Sequence, residues 1–189
     1  MNNINSQKII DAHHHLWDPT TGKYDWLVAP GHEVFNKIYL IDEYLKDVNN
    51  LNVLKSVHVQ AEINRSETVY ETDWLQQYSE FGNSLNINKF PNAIIGYVNF
   101  TDSNVEKILE NHIKNSNFKG VRQLLNYDKN DKSISHADID YLEEFNWLKN
   151  FALLKKYNLS FDLSILYNQS ESAAKLINKQ KDTLFIINH

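Results

Sequence analysis

Ile9-Ile10-Asp11-Ala12-His13-His14-His15-Leu16-Trp17-Asp18 is the stretch that decides the fold. A short apolar run enters it and a His-x-His pair leaves it. On a strand the side chains alternate between faces, so His13 and His15 point the same way with Asp11 behind them. Two neutral imidazoles on one side of a strand reach a single metal ion at about 2.0–2.1 Å each. Three histidines inside an apolar strand pattern do not read as an expression tag. A His-rich surface loop is the plain alternative for these residues taken alone.

Working outward, the chain has 189 residues, of which 42% are hydrophobic, so it can bury a core and global disorder is excluded. That length favours one domain over residues 1–189. Net charge is −5, with Lys and Arg scattered rather than massed, which argues against a nucleic-acid or anionic-membrane partner. There is no cysteine, so disulfides and thiolate sites are excluded and any metal must use His, carboxylate or water. Residues 1–8 are polar and lack a signal core. No apolar run approaches the roughly 20 residues needed to cross a bilayer, so a cytoplasmic protein with a small-molecule partner is expected.

Six strand-like runs alternate with helical patterns: Lys8–His13, Lys55–Ala61, Ala93–Phe100, Lys119–Leu125, Leu159–Ile165 and Leu184–His189. Thr68 with Glu71, and Ser103 with Glu106, read as capping boxes opening two of the helices. Ser170 opens a third, and 42–51 and 138–157 complete the set, the latter interrupted at Asn146. Strict β-then-α alternation implies right-handed βαβ units and a parallel sheet. The aromatic stretch from Trp17 to Tyr39 reads equally as a lid or as surface packing.

Polar residues recur late in these strands, on one parity. His58, Gln60 and Glu62 alternate with Val57, Val59 and Ala61; Tyr97 pairs with Asn99; Arg122 breaks an apolar strand; Asp162 and Ser164 oppose Phe161, Leu163 and Ile165. In a closed βα barrel the catalytic groups come from C-terminal strand ends. The pattern therefore predicts an α/β fold of the (β/α)8 TIM-barrel type, with about six of eight βα units present. His58 reads as a satisfied internal histidine ahead of a ligand. Glu62 reads as a metal-proximal carboxylate or a solvated loop residue. Arg122 needs an anionic partner, either a substrate oxygen or Asp162 itself. His112 and His136 are expected at the surface, and His32 falls in the aromatic stretch.

Residues 10–18, then Val57-His58-Val59-Gln60-Ala61-Glu62 and Glu71-Thr72-Asp73-Trp74-Leu75, resemble the amidohydrolase-related metal-dependent hydrolases. The likeness is to the sugar-lactonase branch, which includes fuconolactonase-like and rhamnonolactonase-like enzymes. Gly120-Val121-Arg122-Gln123, Phe161-Asp162-Leu163 and Ile186-Ile187-Asn188-His189 continue it in order, so it covers essentially the whole chain. The resemblance implies a distorted (β/α)8 barrel in which His13, His15 and His189 hold or border a divalent ion, zinc first. A metal-free mechanism, seen as an option among lactonase relatives, stays open.

On this reading Glu62, Arg122 and Asp162 join the histidines at the site, and metal-activated water cleaves the C–O bond of a sugar-acid lactone. Two alternatives stand beside it: a metal-dependent decarboxylase of aromatic acids in the same barrel family, and a non-catalytic remnant. The family's last aspartate, after an eighth strand, has no counterpart here. The reading therefore includes a C-terminally truncated chain that is poorly stable and inactive by itself.

Overall fold

In the computed structural model the described residues are 7–81 and 86–188. They form two compact units, the first running from the N-terminus to Gly96 and including His112–Phe118, the second comprising Tyr97–Asn111 and the chain from Lys119 onward. All six expected strands are present among the described residues, and the first five are each followed by helical or turn structure. Among the described residues no helix is long and apolar enough to cross a membrane.

The first unit contains β1 (Lys8–His14), α1 (Ile41–Asp47), β2 (Asn52–Val59), α2 (Thr68–Phe81) and β3 (Ala93–Gly96), with α3 (Val105–Ile113) shared between the units. Its strands are parallel in the order β1-β2-β3. Ile94 of β3 and Leu16 just past β1 bury against Ile41 and Tyr44 of α1 and Leu75 of α2. Val53 of β2 buries in the same apolar layer.

Two expected capping boxes are absent. A 3-10 turn at Arg65–Glu67 runs directly into α2, so Thr68 is already helical. Glu71 turns inward instead, accepting the Ala61 N–H at 3.1 Å and the Tyr24 hydroxyl at 3.2 Å. At α3 the turn is made by Asp102, whose carboxylate accepts the Asn104 N–H at 2.7 Å. Glu106 meanwhile binds Lys156 Nζ at 2.5 Å and the Tyr157 hydroxyl.

His112 also departs from expectation. It is fully buried, lies 2.8 Å from Thr72 Oγ1 and stacks on Phe118 at 4.8 Å. Its place explains Gly96. A Cβ there would stand 2.9 Å from the Phe118 ring and 3.2 Å from both His112 and Thr72.

The second unit contains β4 (Phe118–Leu124, from Lys119), α4 (Phe145–Phe151), α5 (Leu153–Lys156), β5 (Ser160–Ser164), α6 (Ser170–Lys179) and β6 (Phe185–Ile187), again parallel and in chain order. The helical break falls at Ala152 rather than at Asn146, which lies inside α4. Phe100, Trp147, Phe151 and Phe161 form its core, and the buried Trp147 indole N–H is satisfied by Gln123 Oε1 at 2.8 Å. His136 is exposed in the loop after β4, as expected.

The aromatic stretch is a closed loop. Trp17 and Tyr39 exchange both backbone hydrogen bonds, at 2.9 and 3.0 Å, joining its two ends. Tyr24 and Leu27 bury against Ala61 and Ile63, with Trp17 and Trp26 packed over them. The Trp26 indole N–H donates to Ala61 O at 2.8 Å, and His32 Nδ1 lies 2.6 Å from Trp26 O. So many anchors make it a packed wall, which answers the choice between lid and surface packing.

Candidate functional site

The His-x-His pair is placed by an irregularity in β1. Asp11 is level with Ser56 and His14 with His58, so β1 takes three steps where β2 takes two. Such a bulge reverses the alternation of faces. Asp11 and His14 consequently share a face: Asp11 Oδ2 accepts the Tyr44 hydroxyl at 3.0 Å, and the His14 ring stacks on Tyr44 at 4.4 Å. Asp11 is not behind the pair, as simple alternation requires. Its carboxylate accepts the His13 backbone N–H at 3.2 Å.

His13 and His15 are half-buried with their Nε2 atoms 3.2 Å apart. Two ligands at about 2.0–2.1 Å on a tetrahedral ion stand about 3.3–3.4 Å from each other. The observed separation therefore fits two neighbouring vertices of a zinc site. His15 Nδ1 lies 2.7 Å from Val59 O. A carbonyl only accepts, so Nδ1 carries the proton and Nε2 keeps its lone pair, the tautomer a metal ligand needs. Among the described residues no group of three His, Asp or Glu side chains converges on one point. His189 lies outside the described residues.

His14 and His58 are buried away from the His13–His15 pair's Nε2 atoms, in contacts of their own. His14 Nε2 lies 3.0 Å from Ser56 Oγ, and burial lowers its pKa to about 4, so the ring is neutral at pH 7. His58 is fully buried. Its Nδ1 accepts the Leu16 N–H at 3.2 Å, its Nε2 lies 3.9 Å from Glu71 Oε1, and its edge meets Trp74. Level with Ile94 of the apolar layer, His58 sits among helix-side residues. Glu71 was not among the expected site residues. The sequence presented it twice, as a cap three residues after Thr68 and at the head of the Glu71–Leu75 stretch that carries the family resemblance, and neither reading gave it a site role.

Glu62 follows β2 in an unusual state. Its backbone is left-handed, with φ 55°, and its side chain is exposed. The Gln60 amide donates to its carboxylate, and the Glu62 N–H donates back to Gln60 Oε1 at 2.7 Å. A non-glycine residue held in this region costs of order 1 kcal/mol or more.

In the second unit Arg122 and Asp162 are level on adjacent strands and both buried. Burial raises the Asp162 carboxyl above its ordinary 3.8, against the opposing pull of the Asn188 amide and the Arg122 charge. Asn188 Nδ2 donates to Oδ2 at 3.1 Å, while the buried Oδ1 has no hydrogen-bond partner among the described residues. Asp162 thus supplies the negative neighbour that a buried Arg122 requires. A cavity of about 790 Å3 in this unit, bordered by Tyr127, Asp128, Asp140 and Tyr167, is lined by neither residue.

No protein-family model matches the chain. An uncharacterised protein of Sinorhizobium fredii is 32% identical over 188 residues, covering 96% of this chain and 61% of that protein. Among solved structures, a zinc-bound amidohydrolase of Burkholderia multivorans superposes with TM-score 0.71 at 16% identity, over 97% of this chain and 58% of its own. The fold is that of the amidohydrolases. A second amidohydrolase, from Bifidobacterium longum subsp. infantis, gives TM-score 0.67 at 16% identity, covering 97% and 62%. A Pseudomonas putida protein assigned provisionally as a 2-pyrone-4,6-dicarboxylic acid hydrolase gives 0.61 at 16%, covering 95% and 56%. The chain accordingly carries an α/β, partial TIM-barrel-like amidohydrolase fold of six parallel strands, and it spans about three fifths of the length of these proteins.

Proposed function

We propose that the protein is a metal-dependent hydrolase of the amidohydrolase-related family that opens a lactone ring, with sugar-acid lactones as the first substrate class. The observation that carries the reading is the 3.2 Å separation of the His13 and His15 Nε2 atoms, with His15 locked in the ligand tautomer by Val59 O. The B. multivorans relative has bound zinc, and the P. putida protein is assigned to a 2-pyrone, which is itself a six-membered lactone.

His13 and His15, joined by His189, would hold the ion. Bound zinc supplies a water of pKa near 7 and polarises a carbonyl. The chain's own residues do the rest. Val59 O keeps His15 from rotating away. Arg122 is permanently charged and presents fixed donors suited to a substrate oxygen that becomes anionic. Asp162 beside it offsets the cost of burying that guanidinium. Glu62 would border the ion or accept from a substrate hydroxyl.

Metal analysis of the purified protein tests the first step. About one zinc per chain, lost in both His13→Ala and His15→Ala, supports the reading; zinc retained equally by both variants overturns it. Ring opening followed by pH-stat on a lactone panel, run beside carbon-dioxide release from aromatic acids, tests the reaction. Decarboxylation without lactone opening would reject the hydrolase.

A further inference from the structure

A second cavity lies in the first unit, between α2 and the start of the closed aromatic loop. Its volume is about 130 Å3 and its walls are Tyr24, Tyr70, Trp74 and Tyr78, with Asp18 at the rim. It shares no residue with the His13–His15 pair, and the inference drawn from it does not depend on the proposed hydrolase activity.

Tyr70, Trp74 and Tyr78 recur every four residues, so α2 presents all three on one stripe. Trp74 and Tyr78 meet at 5.5 Å with an interplanar angle of 82°, giving two walls at right angles. Ring faces carry negative potential, so perpendicular aromatic walls around a small void favour a cation over a neutral group. The molecule already uses one of these rings in that way: Lys23 Nζ sits 4.5 Å from the Tyr70 centroid. That ammonium is paired with Glu67 at 2.7 Å, so it brings no uncompensated positive charge.

Asp18 completes the charge pattern. Its Oδ1 accepts the Thr20 N–H and hydroxyl at 2.8 and 2.6 Å, capping the 3-10 turn that follows, which leaves Oδ2 outside those two bonds. The Tyr78 hydroxyl is held above its ordinary range by burial and by the carboxylates of Asp18, Asp42 and Glu43, as a site of negative potential requires. An uncharged apolar guest would desolvate Asp18 without return. At roughly 30 Å3 per water, the space matches about four waters, the bulk of a nitrogen carrying four small carbon groups.

We propose that this cavity binds a free small organic ammonium ion, held by cation–π contact with Tyr70, Trp74 and Tyr78 and by ion pairing to Asp18. The test is isothermal titration calorimetry of the protein with tetramethylammonium and with choline at low salt, beside 3,3-dimethylbutan-1-ol, the neutral isostere of choline. Saturable one-to-one binding of both cations is expected, with the neutral alcohol at least about tenfold weaker. Asp18→Asn is expected to weaken choline about fivefold while leaving the melting temperature unchanged, because Asn caps a helical turn as well as Asp does. Tyr78→Leu and Trp74→Leu are expected to remove measurable binding, and Tyr78→Leu serves if Trp74→Leu does not fold. Equal affinity for choline and the alcohol, wild-type affinity in Asp18→Asn and Tyr78→Leu, or no saturation by either cation up to about 50 mM would each overturn the proposal.

Discussion

Gly96 closes β3 beneath three side chains, with the Phe118 ring 2.9 Å from where a Cβ would stand. Gly96→Ala is expected to cost about 1–3 kcal/mol in urea unfolding, since neither the ring nor the buried His112 beneath it has room to retreat. Asp162 makes a prediction of a different kind. Its folded pKa is raised, so its protonated form favours the native state. The stability it gives is complete below its unfolded value of 3.8 and is lost as pH rises through the raised one. Asp162→Asn should therefore gain on the wild type as pH goes from about 3.5 to about 6, and a pH-independent difference between their unfolding curves would refute the raised carboxyl. Single residues were also where the sequence misled. Glu71 three places after Thr68 satisfies the spacing of a capping box, and only the 3-10 turn ahead of α2 sends it inward to Ala61 and Tyr24. Likewise His112 on an amphipathic helix gave no sign that Thr72, forty residues earlier in sequence, would take its ring nitrogen.

Elements were easier to foresee. Each of the six strands lies within a few residues of its apolar run, because burial against a helix layer demands such runs wherever a parallel strand passes. What periodicity could not supply was the bulge in β1. A one-residue slip leaves composition untouched but moves Asp11 to the face of Tyr44. His13 lies inside the slip and His15 after it, and their Nε2 atoms still meet at 3.2 Å. Arg122 and Asp162 were foreseeable neighbours, since a buried guanidinium in one strand asks for a carboxylate in the next. The aromatic loop carries its own prediction. The Trp17 indole N–H donates to Phe35 O at 3.1 Å and Lys37 O at 2.9 Å. Trp17→Phe keeps the ring but removes the donor, so limited proteolysis between Trp26 and Tyr39 should quicken several-fold while global unfolding shifts by no more than about 1 kcal/mol.

On the scale of the whole molecule, ligand linkage offers a direct measurement. Zinc at about a hundred times its dissociation constant should raise the melting temperature by roughly 5–10 °C, and His13→Ala and His15→Ala should abolish the rise. Exposed apolar side chains also mark each unit: Ile10 is 63% exposed in β1, and Ile187 is 75% exposed in β6. The Trp17–Tyr39 bridge has a broader consequence. Between its closing pair the excursion also buries Tyr24 and Leu27 against Ala61 and Ile63 and ties Trp26 to the Ala61 carbonyl, so it belongs to the core of its unit and is not an interchangeable loop. Grafting a foreign segment between those two anchors would strip Tyr24 and Leu27 from beneath Trp17 and Trp26, so loss of the segment and loss of the neighbouring strand end would come together.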